Sequence, residues 1–287
     1  MDKLKGTGVA LVTPFNKDLS VDFDALKKLV DFNINNGVNY LVINGTTAES
    51  VTTTTEEKKE ILNVIRKHVD GRVPLVYGIG GNNTQHVLDT IKQTDFHGIS
   101  DILSVSPYYY KPSQSGIYQH YVAVAEACPV PVILYNVPGR TGSNMAPETT
   151  LKLANHDNII GIKEASGNLE QCMHLVKNRP DGFMVISGED MLTVPMIAFG
   201  MDGVISVLAN GFPAKFSHMV KLAMEGNFKE ASALMFDFLE LNPLMYEESN
   251  PVGIKAVLEL YGICESAVRL PLVEATAGLK NKIQALL

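Results

Sequence analysis

The sequence predicts a (β/α)8 barrel, a TIM barrel, with a C-terminal helical extension. Eight short runs rich in Val and Ile recur along the 287 residues, and segments with helical spacing separate them. Strands and helices that alternate in this way indicate a parallel sheet. The eight predicted strands are residues 8–12, 40–43, 73–79, 101–104, 132–135, 159–163, 183–187 and 203–207.

The apolar character of these runs favours a closed barrel over an open sheet. Each run is almost continuously apolar, which is typical of strands that are buried on both faces. The alternative is a Rossmann-like open sheet, but the chain contains no GxGxxG motif at the start of a helix. A length of 287 residues suits one barrel.

The first two helices are predicted over residues 23–36 and 56–69, and Thr54 with Glu57 forms a capping box at the start of the second. After the eighth strand the alternation stops, and residues 213–224, 228–241, 251–261 and 275–286 are predicted as helices without strands between them. We therefore divide the chain into a barrel, residues 1–224, and an extension, residues 225–287. Without a flexible linker, the extension is expected to pack on the barrel or to mediate self-association.

Composition excludes several classes of partner. The net charge of −7 and the pI near 5.5 argue against binding to nucleic acid or to anionic membrane surfaces. Cys128, Cys172 and Cys264 are widely spaced and odd in number, which indicates buried thiols in a reducing compartment. No apolar run is long enough for a membrane span, and no secretion signal is visible. We therefore expect a cytoplasmic protein.

Residues that close the barrel strands are the candidates for chemistry, because active sites of such barrels lie at the carboxyl ends of the strands. Lys163 closes an otherwise apolar strand, where burial disfavours the ammonium form and favours the neutral amine that attacks a ketone. From position alone, a solvated lysine at the barrel rim is an equal alternative. Tyr135 closes the neighbouring strand, and its phenol can relay protons to and from the Lys163 amine.

Two further strand ends carry polar groups suited to carboxylates. Gly45, Thr46 and Thr47 form a tight turn after the second strand, where backbone N–H groups and hydroxyls can hold the carboxylate of a keto acid. Arg140 lies on the loop after the fifth strand and can bind a second carboxylate through its planar fork. Three consecutive tyrosines, residues 108–110, follow the fourth strand, where one can serve catalysis and another an interface.

A metal-dependent aldolase is the main alternative mechanism, since a divalent ion can stabilise an enolate. The histidines are predicted on helices or loops away from the strand ends, and no HxH or HxxxH pair occurs at any of them. Glu49, Glu164 and Glu189 are scattered over different loops. The pattern therefore favours a class I aldolase, which forms a Schiff base with a keto acid and needs no metal or other cofactor.

The motifs together resemble the dihydrodipicolinate synthase / N-acetylneuraminate lyase family over essentially the whole chain and in the same order. The segments are GVALVTPF, NGTTAES, SPYYYKP, YNVPGRTG, GIKEASG, SGED, GVISV and NPVGIKAVL. Within the family, Arg140 in YNVPGRTG points to the members that condense pyruvate with L-aspartate 4-semialdehyde on the route to diaminopimelate and lysine. The resemblance thus implies a lyase of amino-acid biosynthesis.

The resemblance assigns roles to four catalytic residues. Lys163 would be the Schiff-base lysine, and Tyr135, Thr46 and Tyr109 would form the proton relay. In the family, the tyrosine at the position of Tyr109 reaches across a dimer interface into the neighbouring site. A homotetramer built as a dimer of dimers is the arrangement that this implies, whereas Tyr110 stands where Asn is common and receives no role.

The resemblance also assigns four substrate-binding residues. Thr47 would help to hold the pyruvate carboxylate, and Arg140 would bind the carboxylate of the semialdehyde. Gly188 and Ile205 would supply main-chain contacts near the substrate. Ala48 replaces the second glycine of the family's GTTGES, a change compatible with activity.

Some family members bind lysine as a feedback inhibitor in an interface pocket, and this chain departs from their pattern. An imidazole replaces a carboxylate and an ammonium group is added, which should weaken the attraction for a cationic ligand. We therefore expect weak or absent inhibition by lysine. The retained positions are Ser50, Asn82 and Tyr108, and the altered ones are Thr55, Lys58 and His86.

Two alternatives to this function remain open. One is another pyruvate aldolase of the same family, cleaving a sialic acid or a 2-keto-3-deoxy sugar acid, for which more hydroxyl-binding groups would be expected on the Arg140 loop. The other is a binding or regulatory protein that kept the fold and lost catalysis, against which the intact Lys163, Tyr135 and Thr46 argue.

Overall fold

The computed structural model describes residues 2–287, and its centre is a closed barrel of eight parallel strands in sequential order. The predicted fold class, a (β/α)8 barrel followed by further helices, is confirmed. The strands are β1 Gly6–Ala10, β2 Tyr40–Ile43, β3 Leu75–Gly78, β4 Asp101–Val105, β5 Val132–Asn136, β6 Ile159–Glu164, β7 Met184–Ser187 and β8 Gly203–Ser206.

The barrel interior is filled by side chains from alternating strand positions. Tyr40 of β2 is completely buried there, and its ring lies against β1. A Cβ atom at Gly8 would lie only 2.2 Å from this ring, so glycine at that position makes room for the tyrosine. The opposite strand faces pack against the surrounding helices and form the larger apolar core.

Nine helices follow the strands and surround the barrel. Asp22 caps the first of them, and the Thr54–Glu57 capping box predicted for the second is present. The helices are α1 Phe23–Asn35, α2 Thr55–Val69, α3 Thr84–Gln93, α4 Gln114–Ala127, α5 Pro138–Thr141, α6 Pro147–Leu153, α7 Leu169–Asn178, α8 Thr193–Ala198 and α9 Pro213–Met224.

The first strand begins two residues earlier than predicted and ends two residues earlier. The prediction left out Thr7 because it is polar, although its side chain is fully buried. At the other end, the Val12 N–H donates to the Asn210 side chain and the Thr13 hydroxyl donates to the Ala48 carbonyl. These side-chain contacts replace the strand ladder beyond Leu11.

The extension consists of four helices, α10 Phe228–Phe236, α11 Leu241–Leu244, α12 Val252–Leu260 and α13 Ala277–Gln284. The prediction of a single helix over residues 228–241 is wrong. The observed helix α10 ends at Phe236, and a new helix, α11, starts at Leu241. Pro243 lies in the first turn of α11, the part of a helix where a missing N–H is tolerated.

The segment after α12 is tied to the barrel by Arg269. Its guanidinium forms a bidentate pair with the Glu57 carboxylate of α2, with N···O distances of 2.6 and 2.7 Å. The same side chain donates to the backbone carbonyls of Leu19 and Thr52. Arg269 therefore joins three barrel segments to the extension.

Candidate active site

A cavity of about 290 Å³ opens at the carboxyl ends of the strands, where the fold predicts an active site. Its walls come from the ends of most strands and from the extension. Its lining residues include one arginine, one lysine and one glutamate, namely Arg140, Lys163 and Glu189.

Lys163 and Tyr135 lie side by side in this cavity. They are direct partners in the register of β5 and β6, so both side chains point to the same face of the sheet. The Lys163 Nζ lies 4.6 Å from the centroid of the Tyr135 ring, and only 6% of Lys163 is exposed. The predicted adjacency of amine and phenol is therefore present.

The position of the Lys163 side chain requires a residue without a side chain at position 188. A Cβ atom at Gly188 would lie 3.0 Å from the Lys163 Cε and 2.5 Å from the Ala165 Cβ. A larger residue would displace the lysine side chain or the strand end that carries it. The glycine, which lines the cavity, thus gives the lysine its place.

The turn after β2 brings Gly45, Thr46 and Thr47 to the cavity wall. The turn is closed by hydrogen bonds from the Ala48 N–H to the Gly45 carbonyl and from the Glu49 N–H to the Thr46 carbonyl. The hydroxyl of Thr47 accepts a hydrogen bond from the Asn250 amide at 3.0 Å. The extension therefore holds one of the two threonines predicted to act in the site.

Arg140 lies at the mouth of the cavity, on the short helix α5. The helix begins with Pro138 and ends at Thr141, and Gly142, with a φ of 72°, caps it. Arg140 itself is exposed and lines both this cavity and a neighbouring one. A guanidinium at this place is accessible to a second, incoming substrate.

Two predicted site residues do not reach the cavity of this chain. Tyr109 is 79% exposed, has a φ of 75°, and packs edge-on against Tyr110 with the ring centroids 5.5 Å apart. Ile205 is 1% exposed and packs in the barrel interior, and neither residue lines the cavity.

Four polar residues of the cavity wall were not predicted as site residues: Glu189, Asn242, Tyr246 and Asn250. Burial and the neighbouring charges of Asp190 and Glu189 raise the pKa of the Tyr246 phenol. Asn250 belongs to the NPVGIKAVL motif and Glu189 to SGED, so their motifs were visible although their place in the cavity was not. Asn242 and Tyr246 carried no signal in the sequence.

Two other acidic residues near the cavity are bound to the protein itself. Glu164 is fully buried and accepts hydrogen bonds from Asn136, Gln171 and the Ser166 N–H, and burial raises its pKa. Asp190 accepts from the backbone N–H groups of residues 207 and 208. Both acids join segments at the strand ends, and neither lines the cavity.

Within residues 2–287, no group of three or more His, Cys, Asp or Glu side chains is arranged to hold a metal ion. The same part of the chain contains no helix whose length and hydropathy would allow it to cross a membrane. All three cysteines are unpaired and buried, as predicted.

A second cavity of about 460 Å³ adjoins the first and shares Thr46, Tyr135 and Arg140 with it. Five of the six positions considered for lysine binding line it, whereas Thr55 begins α2 and is not among the lining residues. Burial lowers the pKa of the Lys58 ammonium. The five are Ser50, Lys58, Asn82, His86 and Tyr108.

Comparison with known proteins extends the likeness to the whole chain. The model of the dihydrodipicolinate synthetase family matches residues 3–287. The 4-hydroxy-tetrahydrodipicolinate synthase of Cytophaga hutchinsonii is 56% identical over 284 residues, which cover 99% of this chain and 96% of that protein.

Two solved structures have the same fold. The dihydrodipicolinate synthase of Acinetobacter baumannii, complexed with pyruvate, superposes with a TM-score of 0.95 at 36% identity, covering 99% of this chain and 97% of that one. The enzyme of Cyanidioschyzon merolae with lysine bound has a TM-score of 0.94 at 35% identity, with coverage of 99% and 97%.

Proposed function

The chain belongs to the dihydrodipicolinate synthetase family, and on that premise we propose that it condenses pyruvate with L-aspartate 4-semialdehyde through a Schiff base on Lys163. It is an enzyme, a lyase with 4-hydroxy-tetrahydrodipicolinate synthase activity, and its reaction belongs to lysine and diaminopimelate biosynthesis. The residues that line the cavity include the proposed nucleophile, two of the three members of the proposed proton relay, and the proposed carboxylate-binding groups.

The observation that carries the mechanism is the pairing of Lys163 with Tyr135. An amine that is 6% exposed, next to a phenol, can attack the ketone carbon of pyruvate while the phenol supplies and removes protons. Attack gives a carbinolamine, and loss of water from it gives the imine. No cofactor is needed, because the imine nitrogen withdraws electrons from the reacting carbon.

Loss of a methyl proton from the imine gives an enamine, whose carbon attacks the aldehyde of the second substrate. We assign the proton transfers to Tyr135, Thr46 and Tyr109. Thr46 lies on the wall of the same cavity as Tyr135, which supports the first two members of this relay. Tyr109 would join from a neighbouring subunit.

The substrate carboxylates have two separate binding places in this proposal. The Thr47 turn, held by Asn250, would bind the pyruvate carboxylate, and Arg140 at the mouth would bind that of the semialdehyde. Gly188 permits the lysine position, and the main chain at Gly188 and Ile205 would contact the bound pyruvate.

The assembly is proposed to be a homotetramer, a dimer of dimers, in the cytoplasm. Val51, Tyr109 and Tyr110 are each about 80% exposed, which is unusual for large apolar side chains in a protein that acts alone. An interface that covers them would also bring Tyr109 to a neighbouring cavity. The three buried, unpaired cysteines support a reducing compartment.

Turnover with competing substrates tests the acceptor. Purified protein should consume pyruvate in the presence of L-aspartate 4-semialdehyde and should cleave neither N-acetylneuraminate nor 2-keto-3-deoxygluconate at a comparable rate. Replacing Arg140 by Ala should raise the KM for the semialdehyde by about 10- to 100-fold and leave the KM for pyruvate unchanged. Preferential cleavage of a sugar acid would assign the chain to the lyase branch of the family instead.

A further inference from the structure

Glu189 is the only acidic side chain on the wall of the catalytic cavity, within the described residues. Its hydrogen bonds involve only its backbone: the N–H donates to the Ser187 hydroxyl, and the carbonyl accepts from Thr193. The carboxylate forms no hydrogen bond or ion pair with any residue in the range 2–287. A half-buried carboxylate without a partner is unfavourable unless a ligand supplies one.

The other acidic residues near Glu189 do have hydrogen-bond donors for their carboxylates. Glu164 and Asp190 are both buried, and each accepts two or more hydrogen bonds from side chains or backbone N–H groups. The fold thus provides donors for the acids that have a structural role. Glu189 is left facing the space in which substrates meet Lys163.

The charges of the cavity match one class of acceptor. Once the Lys163 nitrogen has become part of the neutral enamine, the charged side chains left in the cavity are Arg140 and Glu189. One cation and one anion are the complement of a zwitterion that carries both a carboxylate and an ammonium group. A sugar-derived aldehyde has no ammonium group and would leave Glu189 unpaired.

Building on the proposed function, we infer that the Glu189 carboxylate binds the α-ammonium group of L-aspartate 4-semialdehyde, opposite Arg140, and accepts a proton from it before ring closure. Glu189 thus selects the acceptor by its ammonium group and acts as the general base that deprotonates it. It explains how an acceptor with an amino group is selected over other aldehydes.

Ring closure requires that base, because an ammonium nitrogen has no lone pair for attack. After the C–C bond has formed, Glu189 takes one of the three ammonium protons, and the amine attacks the protonated imine carbon held by Lys163. The bond between that carbon and the Lys163 nitrogen then breaks. The two remaining protons pass to Lys163, which leaves as an ammonium, and the product retains a cyclic C=N bond.

The electrostatic surroundings suit this second role. Burial, together with the charge of Asp190, raises the pKa of the Glu189 carboxyl, whereas the nearby Lys163 lowers it. A raised pKa makes a carboxylate a stronger base toward the substrate ammonium.

The test compares Glu189→Gln with the wild-type enzyme on two acceptors, L-aspartate 4-semialdehyde and its des-amino analogue succinate semialdehyde. The variant should lose about 10- to 100-fold in kcat/KM for the amino acceptor, the range for a hydrogen bond to a charged group. The inhibition constant of succinate semialdehyde and the yield of the reduced pyruvate adduct should stay unchanged. Glu189→Asp should restore part of kcat, and Glu126→Gln, the same change on the exposed face of α4, should have no effect.

Three results would overturn the inference. Equal losses for both aldehydes, or a lower adduct yield, would make Glu189 a structural residue. Undiminished turnover of the amino acceptor by Glu189→Gln would remove its role altogether. A wild-type enzyme that forms the pyruvate adduct but does not use L-aspartate 4-semialdehyde would instead refute the proposed function, and the inference would fall with it.

Discussion

Lys255 of α12 and Glu49 of the β2–α2 loop form an ion pair that is sealed from solvent. The Lys255 Nζ lies 2.6 Å from the Glu49 Oε1, and the two side chains are 0% and 1% exposed. Lys255 also donates to the Ala267 carbonyl, and the other Glu49 oxygen accepts from the Arg269 N–H. The pair therefore links the extension to the turn that carries Thr47.

Replacing Lys255 by Met should destabilise the protein by about 3–5 kcal/mol, because it leaves the Glu49 carboxylate buried without its counter-ion. The midpoint of urea unfolding measures the loss. Since Glu49 follows the Thr46–Thr47 turn by two residues, the KM for pyruvate should rise as well.

The matched control is Lys282→Met, which breaks a 2.6 Å ion pair with Glu247 on the surface. This change should cost less than about 1 kcal/mol, as is usual for exposed pairs. Similar losses for the two variants would contradict the role given to the buried pair. The double variant Glu49→Gln/Lys255→Met should recover part of the stability, since neither charge is then left alone.

Tyr109 is expected to complete the site of a partner subunit, which makes a complementation experiment possible. Tyr109→Phe and Lys163→Ala should each be nearly inactive. Mixed dimers contain one site with an intact Lys163 and the partner's intact Tyr109, so unfolding and refolding the two variants together should restore about a quarter of the wild-type activity. If the mixture stays as inactive as its components, Tyr109 does not act across the interface.

Lysine should inhibit the enzyme weakly or not at all. The second cavity presents the Lys58 ammonium and the His86 imidazole to a ligand that is itself cationic. A lysine titration of wild-type activity checks this, with saturable inhibition below about 1 mM as the contradictory result. The double variant Lys58→Ser/His86→Glu removes one cation and adds an anion, and it should become measurably more sensitive.

Acid should destabilise the protein through His120, which is 4% exposed and bonded through Nδ1 to the Thr84 hydroxyl. Burial lowers its pKa from 6.5 to about 4. The unfolded chain binds the proton below about 6.5 and the folded chain only near 4, so stability falls as the pH falls through this window. The loss is on the order of 3 kcal/mol.

The measurement is the urea midpoint at several pH values between about 7 and 4, for wild type and for His120→Gln. The variant has no group of this kind to protonate, so its midpoint should fall less steeply with decreasing pH. Parallel curves for the two proteins would assign the acid sensitivity to other groups.

The barrel could be predicted because its strands are short, apolar and regularly spaced, and because each is buried on both faces. The pairing of Lys163 with Tyr135 could be predicted from the same pattern. Both residues stand near the carboxyl ends of adjacent parallel strands, so the register brings them together. The start of α2 could also be predicted, because the Thr54–Glu57 capping box is a local sequence pattern.

The contribution of the extension to the site could not be predicted. Asn250 reaches Thr47 across 203 residues of sequence, and this contact depends on how the helices pack after α9. Pro243 lies two residues beyond the predicted helix over residues 228–241, so it did not mark the break after Phe236. The contact proposed for Tyr109 would depend on a second subunit, which no pattern within one chain can specify.

Reduction with borohydride in the presence of pyruvate tests the central claim most directly, because it converts an imine on Lys163 into a stable secondary amine. Mass analysis of wild-type protein should find one pyruvate-sized adduct per chain, and peptide mapping should place it on Lys163. Lys163→Ala should remain unmodified, whereas Lys255→Arg, which keeps a cation at the other buried lysine, should be labelled like the wild type. An active wild-type enzyme that is not labelled, or an adduct on another lysine, would contradict the assignment of Lys163 as the nucleophile.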